Sequence, residues 1–199
     1  MSAADIIDLY ERHAADYDRD RGRGLLEQSW LDRFLAYMPS GGTVLDLGCG
    51  MGDPIARYLM TRGRQVLGVD SAPSMIAMCR ARFPSCEWLV GDMREVDLGR
   101  RFEGILAWDS SFHLKREDQR LMFERFARHA APGAPLMFTS GPYDGEAIGS
   151  YHGEPLFHAS LDPAEYRQLL RANGFLVRDY VPDDPECGGH TIWLATHGS

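Results

Sequence analysis

The sequence predicts a single α/β domain: a doubly wound, mostly parallel sheet of seven strands with helices on both faces. Three observations lead there. The 199 residues suffice for one hydrophobic core and are short for two. A hydrophobic share of 44% and a charged share of 25% match an ordinary globular chain, which excludes disorder and fibrous architectures. Beyond residue 42, short apolar runs alternate with stretches of helical period, the pattern of a parallel sheet covered on both sides. No repeat, low-complexity tract or shift of composition marks a linker, so residues 1–199 are read as one unit.

Two leading helices are expected within residues 1–40, covering the site. Ile6, Leu9, Tyr10, His13 and Tyr17 share one stripe, and Leu25, Leu26, Trp30, Leu31, Phe34 and Leu35 share another. The turn at 39–42 changes the period. Residues 44–47 form a buried strand, and 53–61 a helix with Pro54 in its first turn. A second strand spans 65–69, and a helix at 73–83 carries Met75, Ile76, Met78 and Cys79 inward until Pro84 stops it. Strands follow at 86–90 and 104–108. The helix at 115–130 is expected to face Leu121, Met122 and Phe126 inward, and Pro132-Gly133 turns the chain into a fifth strand at 135–140. Asp162, Pro163 and Glu165 mark a capped helix start, and Asn173-Gly174 its end. Strands at 175–181 and 190–196 close the chain.

Several classes are excluded or disfavoured by composition. The net charge is −8 with basic and acidic residues interleaved, the wrong balance for gripping a phosphate backbone, so no nucleic-acid partner is expected. The longest apolar runs fall far below the roughly 20 residues that cross a bilayer, so no membrane partner is expected. The opening residues Met1 to Asp5 lack a basic leader, which together with four cysteines in no C-x-x-C pair predicts a cytoplasmic protein with reduced thiols. A monomer or homodimer is expected.

The chemistry should gather beyond the carboxyl ends of the strands, where strand order reverses. The strongest local signal is VLDLGCGMG at 44–52: glycines at 48, 50 and 52 allow bare backbone to approach a small molecule, or simply make a tight turn. Asp70 ends the second strand, 24 residues after Asp46, where a carboxylate accepts from the two hydroxyls of a ribose; an exposed turn acid is the plainer reading. Asp92 follows the third strand, as an acceptor for an exocyclic adenine amine, as a helix N-cap, or as both.

This ordered set resembles the class I S-adenosylmethionine-dependent methyltransferase family, small-molecule type. The family's first motif, an acid followed by three alternating glycines, matches Asp46, Gly48, Gly50 and Gly52. Its second-strand and third-strand acids match Asp70 and Asp92, and Pro132-Gly133 before LMFTS resembles the lead into its fifth strand. The similarity runs from about residue 10 to the C-terminus. It implies a Rossmann-like methyltransferase fold with an antiparallel last strand, and S-adenosylmethionine as cofactor with S-adenosylhomocysteine as product. By the same resemblance, Gly48, Cys49 and Gly50 flank the methionine part with Asp46 near its amino group, while Asp70 holds the ribose. Ser71 and Met75 then border the adenosine, Asp92 and Met93 face adenine, Trp108 lies by the cofactor, and Tyr17 closes over the methionine end or packs its helix. The competing classes are a protein that binds this cofactor without catalysis and an NAD(P)-dependent oxidoreductase. The latter is disfavoured because its fingerprint is G-x-G-x-x-G, whereas this one is G-x-G-x-G.

Methyl transfer from a sulfonium is a direct displacement that asks chiefly for alignment and exclusion of water. For a hydroxyl or protonated amine acceptor, His113, just past the fourth strand, is the candidate general base, or else a histidine that fixes its loop. Asp109 is a candidate to orient it or touch the acceptor. No metal is expected, because Asp109 lacks a companion oxygen cluster. The long connection 141–160, with Tyr143, Tyr151, His152, Phe157 and His158, reads as a cover over a small-molecule acceptor or as a surface hairpin. Tyr10 and Trp30 are candidates to complete the pocket, and His190 and Trp193 to be core or pocket.

Overall fold

The computed structural model describes residues 3–198; Met1 and Ser2, part of the opening read as leaderless, and Ser199 lie outside them. Strands β1 (Thr43–Leu47), β2 (Gln65–Asp70), β3 (Glu87–Val90), β4 (Gly104–Ala107) and β5 (Pro135–Ser140) join β8 (Phe175–Asp184) and β9 (His190–His197) in one sheet of order β3-β2-β1-β4-β5-β9-β8. β1 to β5 pair in parallel, and β9 runs antiparallel to both β5 and β8. The seven strands and the antiparallel last one agree with the sequence reading. Order reverses between β1 and β4, which opens a crevice at their carboxyl ends.

Alternation along the strands sorts the core into two layers. Leu45, Leu47, Ile105, Ala107, Leu136 and Phe138 face one side, where α6 (Arg116–His129) and α7 (Pro163–Ala172) cover them. Val44, Leu106, Trp108 and Met137 face the other, beneath α3 (Gln28–Ala36), α4 (Ile55–Thr61) and α5 (Pro73–Arg82). α6 buries Met122, Phe123 and Phe126, whereas Leu121 is 59% exposed, against expectation. Leu121 sits two residues before Phe123, some 200° around the helix, and so points away. Leu26 is likewise exposed, because it precedes α3 and escapes its stripe. Pro54 caps α4 from outside its first turn.

The first leading helix is divided into α1 (Ala3–Arg12) and α2 (Ala14–Asp20) at His13. Hydrogen bonds from His13 N to Leu9 O and Tyr17 N to His13 O carry across, so this is a bend and not a break. The segment 141–160 forms a hairpin, β6 (Gly145–Tyr151) paired with β7 (Glu154–Ser160), outside the main sheet. Phe157 and Ala159 of β7 bury against Ile6, with Tyr10 packed alongside. His13 Nε2 meets Glu154 at 2.7 Å, tying the hairpin's turn to the bend. At the hairpin's base, Gln119 donates to the carbonyls of Leu114 and Ala159 and accepts from the Tyr166 hydroxyl at 2.6 Å, all buried. Among the described residues no helix is long and apolar enough to cross a membrane.

Candidate active site

Three cavities meet at the carboxyl ends of the strands. The first, a cleft of about 740 Å³ including its mouth, runs from Gly48 and Gly50 past Asp70, Ser71 and Met75 to Asp92 and Met93. A small recess of about 380 Å³ lies under Tyr17 and is lined by Asp46, Cys49 and Trp108. The third, a chamber of about 1400 Å³ open to solvent, is bounded by the hairpin, β5 and β9. Cleft and chamber share Tyr10, Tyr17, Asp109 and His113. Every cofactor residue expected from sequence therefore lines the cleft or the recess.

The glycine loop has a local cause. Gly48 N and Cys49 N donate to Val69 O, folding the loop back on β2, and Gly50 N donates to Asp70 Oδ2 at 2.8 Å. Gly48 sits at φ +77°, where a Cβ would stand 2.3 Å from Ser110 Cβ. Only glycine fits there. Gly52 answers a different need: a Cβ would press to 3.2–3.3 Å on Phe83, Trp88 and Cys79, so this third glycine seats α5 against the loop. Ser110 Oγ closes the crevice by donating to Leu47 O at 2.7 Å.

Electrostatics distinguish the three acids. Asp46 is 3% exposed and no hydrogen bond among the described residues reaches its carboxylate; burial pushes it up to about 7, with the Asp70 charge adding to the shift. Asp70 is also raised, by burial first, although Ala72 N and Gly50 N donate to it and hold the rise back. Asp92 is raised by burial, but its bonds from Arg94 outweigh this and leave it below the usual range. Its Oδ1 also accepts from Arg94 N, so it caps the turn that follows β3 while lining the cleft.

His113 lies in a short 3₁₀ turn, Ser111–His113, after β4. Its Nδ1 donates to Phe157 O at 2.8 Å, which fixes the neutral tautomer, and its Nε2 accepts from the Tyr10 hydroxyl at 3.0 Å. Burial pushes it down to about 4. Asp109 does not bond to His113, as one reading expected. Its Oδ2 accepts from His190 Nε2 at 3.0 Å and its Oδ1 from Thr139 Oγ1 at 3.2 Å, with its backbone at φ +47°. His190 Nδ1 donates to Cys187 O at 2.6 Å, so both ring nitrogens carry protons. The Asp109 bond pushes His190 up to about 9 against the opposing effect of burial. His190 thus belongs to the site, whereas Trp193 is core and Trp30 is 1% exposed in the core, donating to Asp184. The signal for His190 was faint, since its position in the last strand equally suited packing. Tyr151 and His152 sit at the hairpin's turn away from the chamber, Phe157 is buried under α1, and His158 and Tyr143 reach the chamber.

A reversed parallel sheet with bare backbone after its first strand and an acid after its second is the arrangement expected from the sequence resemblance. Residues 44–133, a little under half of the chain, match the methyltransferase domain family. It is 29% identical over 160 residues to dTDP-4-amino-2,3,4,6-tetradeoxy-D-glucose N,N-dimethyltransferase of Saccharopolyspora spinosa, covering 72% of this chain and 64% of that protein. It is 31% identical over 132 residues to dTDP-3-amino-3,6-dideoxy-alpha-D-glucopyranose N,N-dimethyltransferase of Streptomyces fradiae, covering 65% and 51%. The chain spans about half to two thirds of the length of these curated relatives. The fold is shared with 1,6-didemethyltoxoflavin-N1-methyltransferase of Burkholderia thailandensis, crystallised with S-adenosylhomocysteine: TM-score 0.77, 20% identity, 99% of this chain and 89% of that one.

Proposed function

We propose that the protein is an S-adenosylmethionine-dependent methyltransferase acting on a small molecule. The observation that carries this is the meeting of a cleft lined by Gly48, Gly50, Asp70 and Asp92 with a separate chamber at Tyr10, Tyr17, Asp109 and His113. The residues fit the cofactor. Asp46 is a buried carboxylate to which no group among the described residues donates, suited to an amino group; Asp70 retains lone pairs for ribose hydroxyls, and Gly48 presents backbone to the cleft in a conformation where a Cβ would strike Ser110. Bound there, the cofactor supplies an electrophilic methyl group on a sulfonium. The chain's task is alignment and exclusion of water, which the Tyr10 and Tyr17 rings serve by standing between cleft and chamber, 5.7 Å apart and edge to face.

Proton removal falls to Tyr10 and His113 together. Because Nε2 of His113 is held by the Tyr10 hydroxyl, an acceptor O–H or N–H passes its proton to the Tyr10 oxygen as Tyr10's own proton moves to Nε2. A depressed histidine serves this purpose, since Nε2 stays unprotonated at neutral pH and an alkylated hydroxyl is a strong acid. The hairpin acts as the acceptor's cover, and Asp109, braced by His190, as its positioning residue. The four unpaired cysteines suit a reducing compartment, and we place the enzyme in the cytoplasm on that ground. The test is transfer of label from methyl-labelled cofactor to small acceptors, read as S-adenosylhomocysteine formed. Turnover that falls tenfold or more in Tyr10→Phe supports the relay. Normal turnover in both Tyr10→Phe and His113→Gln removes it, and binding of cofactor without turnover of any acceptor reduces the protein to a binder.

A further inference from the structure

The chamber's charges and rings specify the acceptor's class. Four charged groups line it, Arg21, Asp109, Glu146 and His190, and each is already paired. Arg21 is bound to Glu27, which is 1% exposed; His190 is bound to Asp109; and Glu146 faces Arg116 at 3.7 Å, itself bound to Asp144. Among the described residues the chamber therefore offers no spare cation. A diphosphate entering it would have to compete with Glu27 for Arg21 or with Asp109 for His190. The chamber's inner wall is instead a run of uncharged rings. Phe112 lies 4.7 Å from His113 and 5.3 Å from His158, and His113 and His158 are 4.9 Å apart. Burial depresses both histidines, so the wall is neutral at pH 7. Leu156 and Pro142 extend its apolar surface, and Asp109 and Tyr10, which line both chamber and cleft, place a carboxylate and a hydroxyl at their junction.

We infer that the acceptor is a flat, uncharged aromatic or heteroaromatic molecule bearing one hydroxyl or amine, and not a nucleoside-diphosphate sugar. Its ring lies along Phe112 and His158, and its nucleophile points to Asp109 and Tyr10. This rests on the reading of the cleft as the cofactor's place and the chamber as the acceptor's. The asymmetry of the chamber sets the orientation: stacking rewards the ring face at the wall, while the Asp109 carboxylate and the Tyr10 hydroxyl stand at the junction with the cleft.

The test uses the full chain saturated with S-adenosylhomocysteine and saturation-transfer NMR with two probes, a set of hydroxy- and amino-naphthalenes and quinolines, and thymidine diphosphate with its amino sugar. We expect aromatic members to bind in the chamber, with Kd rising about tenfold in Phe112→Ala and in His158→Ala. Either variant alone suffices should the other fail to fold. We expect no saturable diphosphate binding. Binding of the diphosphate sugar, absence of binding by every aromatic, or aromatic binding indifferent to both substitutions overturns the inference. Failure to bind S-adenosylhomocysteine refutes the function proposed above and is scored separately, in the same samples.

Discussion

Asp109→Asn isolates the charge that holds His190 protonated. Asparagine tolerates the left-handed backbone nearly as well as aspartate, so φ +47° is no obstacle, and the side chain keeps its shape. In the wild-type protein His190 is raised from 6.5 to about 9, first by its bond to Asp109. At 1.36 kcal/mol per unit this corresponds to about 3 kcal/mol, and with side chains 29% and 31% exposed we discount it for solvent to about 1–2 kcal/mol. The sign follows from linkage: a raised folded pKa gives stability that is complete below 6.5 and disappears as pH climbs through about 9. Two assays read it. Long-range 1H–15N spectra of the histidine rings should show His190 still charged at pH 8 in the wild type and titrating at or below 6.5 in Asp109→Asn. Urea denaturation should show the variant about 1–2 kcal/mol weaker at pH 7 and nearly equal at pH 10. A wild-type His190 that titrates near 6.5, or a deficit that persists at pH 10, refutes the pairing.

Other perturbations separate the site from its scaffold. Gly48→Ala should cost about 2–4 kcal/mol, from a left-handed backbone and a Cβ 2.3 Å from Ser110, and should abolish S-adenosylhomocysteine binding, as read by thermal unfolding and calorimetry. Asp46→Asn should raise the melting temperature of the ligand-free protein at pH 8 and leave it unchanged near pH 4. Burial raises Asp46 to about 7, so ionisation is a penalty that grows between its unfolded value and pH 7, and the amide avoids it while weakening cofactor affinity. Tyr166→Phe should destabilise by about 1–3 kcal/mol in urea, since its hydroxyl donates to Gln119 and accepts from Leu161 N with no solvent to replace it.

The parts legible in the sequence are those set by local chemistry. The glycine triplet, the acids that end β2 and follow β3, and the Asp162 cap each leave a mark within a few residues, and each lies where the residues imply. What escaped depended on long-range placement. Asp109 and His190 stand 81 residues apart, and only the antiparallel return of β9 brings them together. The Tyr10 to His113 contact likewise needs α1 laid across the crevice. The bend at His13 has no proline or glycine to announce it, and the hairpin strands β6 and β7 carry scattered small residues instead of a clean alternation. Leu121 shows the limit of apolar pattern alone: a large hydrophobic residue beside the true stripe looks the same as one within it.

The central claim is that bare backbone after β1 and the carboxylate after β2 together hold an adenosyl amino acid. Isothermal titration of the purified chain with S-adenosylhomocysteine, with NAD as the rival ligand and Asp70→Ala as the control, tests it most directly. The account predicts saturable binding of the adenosyl ligand, at least tenfold weaker in Asp70→Ala, and none of NAD. Selective binding of NAD, or S-adenosylhomocysteine affinity untouched by loss of Asp70, would contradict it.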